Sequence, residues 1–100
     1  MAKKFYQTGT NVSGASYTIY TGRCTYHGFR LGMDETNDVT LTISDGSIEV
    51  CPTNKYDASV LGLNGEVLAD QAAITCETGL SATVTCSGTF ELVVIYNPLL

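Results

Sequence analysis

Leu80 to Tyr96 reads LSATVTCSGTFELVVIY, and the pattern in this stretch decides the fold. Leu80, Ala82, Val84 and Cys86 alternate with Ser81, Thr83 and Thr85. A period of two puts one set of side chains on a core and the other in water, so this is a half-buried strand. Ser87-Gly88 then reads as a turn, and Phe90 to Tyr96 as a second strand. From Leu92 onward that second strand is apolar on both faces. Such a strand is covered on two sides: either it is central in its sheet with loops over its outer face, or its outer face, Val93 and Ile95, is covered by another subunit. Asn97-Pro98 predicts the end of the strand, because proline cannot donate to a ladder, and leaves Leu99-Leu100 as an apolar tail.

Working outward, the same signals recur. Val39, Leu41 and Ile43 alternate with Thr40, Thr42 and Ser44, and Asp45-Gly46 reads as a two-residue hairpin turn with Ile48 to Cys51 returning. Asn64-Gly65 reads as a second hairpin turn, between Val60-Leu61-Gly62-Leu63 and Glu66-Val67-Leu68, with a helical turn over residues 57–61 as the competing reading. Ala73 to Glu77 reads as a strand broken at Thr78-Gly79. In Ser16-Tyr17-Thr18-Ile19-Tyr20, Tyr17 and Ile19 share one face and Tyr20 takes the other. Cys24 to Met33 is a mixed run in which Gly28 marks a bulge or a close backbone approach. Short apolar runs every eight to twelve residues from residue 16 onward define the class: an all-β chain, a single antiparallel β-sandwich or jelly-roll-like domain of about seven to nine short strands. Residues 1–100 form one domain, with an N-terminal arm over 1–15, the sandwich over 16–97 and the apolar tail over 98–100.

Composition narrows the function. The chain has 100 residues, 44% of them hydrophobic and 15% charged, which is globular rather than disordered. No run approaches the ~20 apolar residues of a membrane helix, and MAKKFYQTGT carries no apolar segment behind its lysines, which predicts a soluble, unexported protein with no membrane partner. The net charge is -5 and its distribution is uneven. Residues 1–55 balance, whereas 56–100 contain Asp57, Glu66, Asp70, Glu77 and Glu91 and no base. An acidic half repels phosphate, so nucleic acid is disfavoured as a partner. Cys24, Cys51, Cys76 and Cys86 allow two disulfides in an exported protein; in a reducing cytoplasm they are free thiols filling a core.

No residue pattern argues for chemistry. His27 is the single histidine, and no local nucleophile signature surrounds it. Cys24 and His27 have zinc-like spacing, but strand residues three apart point to opposite faces. Asp34, Thr36 and Asp38 have the rhythm of a calcium loop, yet Val39 stands where that loop needs glycine and Asp45 where it needs glutamate, so a solvated turn is the better reading. The expectation is no enzyme, no cofactor and no metal. Six tyrosines suit a binding face, though tyrosine is also an ordinary strand former.

CETGLSATVTCSGTFELVVIY (76–96), with YHGFRLG (26–32) and VTLTISDGS (39–47) upstream, resembles the small β-sandwich proteins of tailed-phage virions, over residues 16 to 97. The resemblance implies a capsid decoration or cement protein of the head-auxiliary type, often a homotrimer, made in the host cytoplasm. It would sit on the outer capsid surface and brace the major capsid protein. In that role Val93, Ile95 and Leu99 are the expected subunit contacts, and Lys3, Lys4, Phe5 and Tyr6 the expected shell contacts. The four cysteines depart from the type and leave open a fibre, baseplate or head-spike role. From a different class, the alternative is an extracellular ligand- or carbohydrate-binding module stapled by two disulfides.

Overall fold

A computed structural model describes residues 2–34, 36–57 and 64–99. Among the described residues, seven strands appear in chain order: β1 (Lys3–Thr21), β2 (Cys24–Met33), β3 (Val39–Asp45), β4 (Ile48–Tyr56), β5 (Asn64–Val67), β6 (Ile74–Cys76) and β7 (Gly79–Pro98), with one 3-10 turn at Asp70–Ala72. All pairings are antiparallel. The chain is all-β, as its alternation predicts.

The two longest strands organise the rest. β7 has 20 residues and pairs with β1 along nearly its whole length. Its other edge is shared: residues 81–86 pair with β3, and 90–98 with β2. β4 continues the sheet beyond β3, and β5 and β6 continue it beyond β2. A straight strand of this length would reach about 65 Å, whereas the longest dimension of the molecule is 41 Å. β7 is therefore strongly bent, and β1 bends with it through register shifts at Thr10/Val12 and Val12/Ala15. The result is one curled sheet whose two halves face each other, the sandwich geometry in which strands pass from one layer to the other. Aromatic pairs bridge the layers. Phe29 of β2 meets Tyr56 of β4 edge-on at 5.8 Å, and Tyr20 of β1 lies 5.4 Å from Tyr96 of β7.

The core follows the alternation. Leu80, Ala82, Val84, Cys86, Phe90, Leu92 and Val94 all point inward from β7, meeting Val39, Leu41 and Ile43 from β3 and Tyr26, Phe29 and Leu31 from β2. Each fully buried Val, Leu, Ile or Phe contributes about 1.5–3 kcal/mol over its exposed state. All four cysteines are free and buried in this core.

Four sequence expectations change. Ser87-Gly88 is no turn: the strand runs through it, and inward alternation continues in phase from Cys86 to Phe90. Here the neighbour of β7 switches from β3 to β2, and Asp34 closes the seam, with its Oδ2 accepting the Thr89 amide at 2.8 Å and its own amide donating to the Thr89 carbonyl at 3.2 Å. Gly88 is required because a Cβ there would overlap the Asp34 carboxylate. Secondly, Asn64-Gly65 belongs to β5, with Gly65 opposite Arg30, where a Cβ would strike the Phe29 carbonyl; the preceding run Val60 to Leu63, like the helical reading at 57–61 beyond Asp57, lies outside the described residues. Thirdly, the stretch read as an arm is strand from Lys3 onward, because Phe5 and Val12 pack against the core while β7 supplies the backbone partners. Lastly, β7 runs on through Asn97 to Pro98, because Leu99 then donates its amide to the Arg23 carbonyl at 2.9 Å and holds the end in place.

Asp45 does more than turn the chain. The turn residues are Gly46 and Ser47, while Asp45 pairs with Ile48 and sits on the inward face of β3. Only 8% exposed, its carboxylate accepts the amides of Glu77 (3.0 Å), Thr78 (2.9 Å) and Gly79 (3.2 Å), anchoring the bend between β6 and β7. Burial alone would raise this carboxyl; the Thr78, Glu77 and Gly79 amides outweigh it and hold the group below the ordinary carboxylate value. A depressed folded-state value means stability that is full above the unfolded value near pH 4 and lost as pH falls through the folded one. Asp45→Asn is therefore expected to lower unfolding stability by about 2–4 kcal/mol at pH 7. In urea titrations from pH 7 down to pH 2, the gap to the wild type should close below about pH 4.

Candidate assembly face

Directly opposed residues of antiparallel strands present their side chains on the same face, so register builds the outer surface of the layer formed by β1, β7, β2 and β5. One row runs Lys4, Ile95, Gly28, Val67; the next runs Tyr6, Val93, Arg30, Gly65. The residues between these rows, Phe5, Val94, Phe29 and Glu66, point the other way. Val94 and Phe29 are core, Phe5 packs against it, and Glu66 accepts the hydroxyl of buried Tyr26 at 2.6 Å. Burial and that bond to Glu66 push the Tyr26 phenol far up.

The outer rows form a largely apolar strip that carries a cation in each row, Lys4 at one end and Arg30 beside Val93. Tyr6 is 60% exposed and Val67 69%, with half-buried Val93 and Ile95 between them. Lys4 and Arg30 stand in the same rows. Glycine at two of the eight positions keeps the strip flat. Gly28 has φ 123°, and a Cβ on it would run into the Glu66 carbonyl, so glycine is what lets β5 dock and present Val67.

The strip thus joins residues expected in separate roles. Val93 and Ile95, read as subunit contacts, lie beside Lys4 and Tyr6, read as shell contacts. Strand alternation sends Lys3 and Phe5 to the opposite face, and Leu99 lies past the end of β7. Val67 and Arg30 were missed. The signal for Val67 was a lone valine alternating with Glu66 after Gly65, which the hairpin reading absorbed.

At the end of the strip, a shallow cleft of about 350 Å³ is lined by His27, Val67, Leu68, Asp70, Ile95 and Asn97 together with Ala2. His27 is the extra residue of a bulge between Tyr26 and Gly28. Its Nε2 lies 3.0 Å from Thr25 Oγ1, and its Nδ1 lies 3.7 Å from Asp70 Oδ1. This order of hydroxyl, imidazole and carboxylate resembles a nucleophile triad in connectivity. The surroundings oppose that use. Asp70 is 97% exposed, so water competes for its charge, and the Thr25 hydroxyl also points at the Asn97 carbonyl at 3.4 Å. Cys24, buried on the inward face, is turned away from the His27 cleft, so the two do not form a metal pair.

The Asp34 loop is also filled by its own chain. Asp34 Oδ1 accepts the amides of Thr36 (2.9 Å) and Asn37 (2.8 Å). The Thr89 amide, then those of Thr36 and Asn37, hold the carboxyl well below the usual carboxylate range, and the group acts as a turn and seam clamp.

No protein-family model matches this chain, and no curated protein matches it. Among solved structures, it is similar to a chain of a virus-like particle of the extra small virus of the giant freshwater prawn Macrobrachium rosenbergii, at 12% identity and TM-score 0.38, over 100% of this chain and 80% of that one. It is also similar to a pentameric capsid protein from metagenomic phage sequences, at 11% identity and TM-score 0.40, over 95% of this chain and 62% of that one.

Gly28→Ala is expected to cost about 2–4 kcal/mol, because the alanine meets both an unfavourable φ and the Glu66 backbone. Hydrogen exchange should show the loss concentrated in the amides of β5, with β3 and β4 protected as before.

Proposed function

We propose that this chain is a structural virion protein of the capsid decoration or cement type, which binds the outer head shell beside the major capsid protein and associates with copies of itself. The observation that carries the reading is the free edge of β1. Among the described residues, this 19-residue strand is hydrogen-bonded only to β7, and Lys3 to Thr10 holds an unbroken register alongside the Tyr6–Val93–Ile95–Val67 strip. A free strand edge offers main-chain donors and acceptors, and the adjacent strip offers apolar area; together they suit strand addition by another chain. The phage-type resemblance of residues 16–97 points the same way.

Magnitudes favour a repetitive partner. Completing the burial of Tyr6, Val93, Ile95 and Val67, which are already partly covered, gives roughly 3–6 kcal/mol gross, from which lost translational and rotational freedom is subtracted. A single contact is weak. Repetition over a symmetric shell multiplies it, and preferential binding to the assembled shell stabilises that shell by mass action. No catalytic step is needed, and the role is proposed to be non-enzymatic.

The test is native mass by light scattering on a sizing column. The wild type is expected to exceed its monomer mass of 10.7 kDa as concentration rises. Tyr6→Asp combined with Val67→Asp should return it to monomer with the melting temperature changed by less than about 4 °C, since both side chains are exposed. A wild type that stays monomeric at millimolar concentration, or an oligomer indifferent to the double substitution, would count against this face.

A further inference from the structure

β6 is three residues long and, among the described residues, its single strand partner is β2, with Cys76 set directly opposite Cys24. Opposed residues of an antiparallel pair have Cα atoms about 4.5–5.5 Å apart, inside the roughly 4.4–6.8 Å window of a disulfide. Both side chains are fully buried on the same face, and the Cys76 thiol donates to the Ile74 carbonyl of its own strand at 3.7 Å. The other two cysteines are placed differently. Cys51 stands in the row of Ile43, and Cys86 in the row of Val39, with β3 between their strands. Four residues along the strand and two strand spacings put them about 16 Å apart, well beyond bridging distance.

We infer that Cys24 and Cys76 are a modification site: a latent cross-strand staple that a small-molecule disulfide oxidises when the protein meets an oxidising medium, while Cys51 and Cys86 remain thiols. In the first step, the thiolate of one cysteine attacks the small disulfide, forming a mixed disulfide and expelling one small thiolate. The second cysteine then attacks the protein sulfur of that mixed disulfide and expels the other. The two protein thiols lose two protons and two electrons, and the small disulfide is reduced to two thiols. Burial raises both groups, Cys76 to about 12, so the docked pair is protected at neutral pH. Reaction waits for β6 to open, or for the chain to fold in the oxidant. A three-residue strand with one partner is the kind of element that opens locally.

The staple would fasten β6 to β2 next to the Glu77–Gly79 segment already held by Asp45. It faces the core, so it leaves the outer strip unchanged, and its test is independent of the assembly reading.

The experiment refolds the full chain from denaturant in a buffer of oxidised and reduced glutathione, followed by thiol counting in denaturant and peptide mapping. The expected result is two remaining thiols of the original four, a Cys24–Cys76 linked peptide, and a melting temperature raised by roughly 15–20 °C that reverts on reduction, as suits closure of a loop of about 50 residues. The double variant Cys51→Ser, Cys86→Ser should behave alike, and Cys76→Ser should show no intramolecular link. Four thiols after refolding, stable glutathione adducts, or a link between any other pair would overturn the inference.

Discussion

Both edges of β7 must find hydrogen-bond partners for 20 residues, and the rest of the architecture is the solution to that demand. One edge is met by β1, a strand of nearly equal length. No single partner meets the other edge: β3 takes the first half and β2 the second, which leaves a seam near Gly88. A strand so long cannot stay straight inside a molecule 41 Å across, so it bends, and the bend folds one sheet into two facing layers. The inward phase survives the bend. Cys86 and Phe90 stay on the same side with Gly88 between them, so one core is continuous across both layers.

Two carboxylates make that bent path possible. Asp34 closes the seam where β3 and β2 leave β7 unpartnered, and Asp45 gathers the amides at the bend from β6 into β7. Each replaces a missing strand neighbour with a charged acceptor, which is stronger than a neutral one. Neither role lies in local sequence. Asp34 sits in an acidic run that looks solvated, and Asp45 precedes a glycine in what looks like an ordinary turn. One clue was present for Asp45: it continues the inward series Val39, Leu41, Ile43, and an inward carboxylate needs donors. The donors come from 32 to 34 residues away, which no local pattern displays.

What was legible is what period-two alternation encodes. The inward sets of β3 and β7, the all-β class and the two-sided apolar character of Leu92 to Tyr96 all follow from it. Turn chemistry misled where glycine served another purpose: Gly88 makes room for Asp34 and Gly65 for the β2 backbone, so both looked like turns while lying inside strands. β1 was hidden for a different reason. Its first half is polar or small at most positions, because an edge strand over a narrow core needs few inward anchors, here Phe5 and Val12. Val93 and Ile95 were therefore identified as an outer face while their neighbours Lys4 and Tyr6 were assigned to a separate arm.

The β4 and β1 edges of the sheet are unlike one another. β4 carries Pro52, the charged residues Glu49 and Lys55, and irregular register with β3, each a device that discourages pairing with another chain. Glu49 also turns its carboxylate back onto the Thr53 amide at 3.0 Å, occupying backbone that would otherwise be free. β1 has no proline, and its irregularities are confined to the stretch beyond Thr10, where Asn11 and Gly14 take positive φ. Lys3 to Thr10 is thus the regular part of an open edge, and it is the part that borders Tyr6, Val93 and Ile95. Among the described residues, the β4 edge is thus irregular and charged, whereas the regular part of the β1 edge borders the exposed apolar strip.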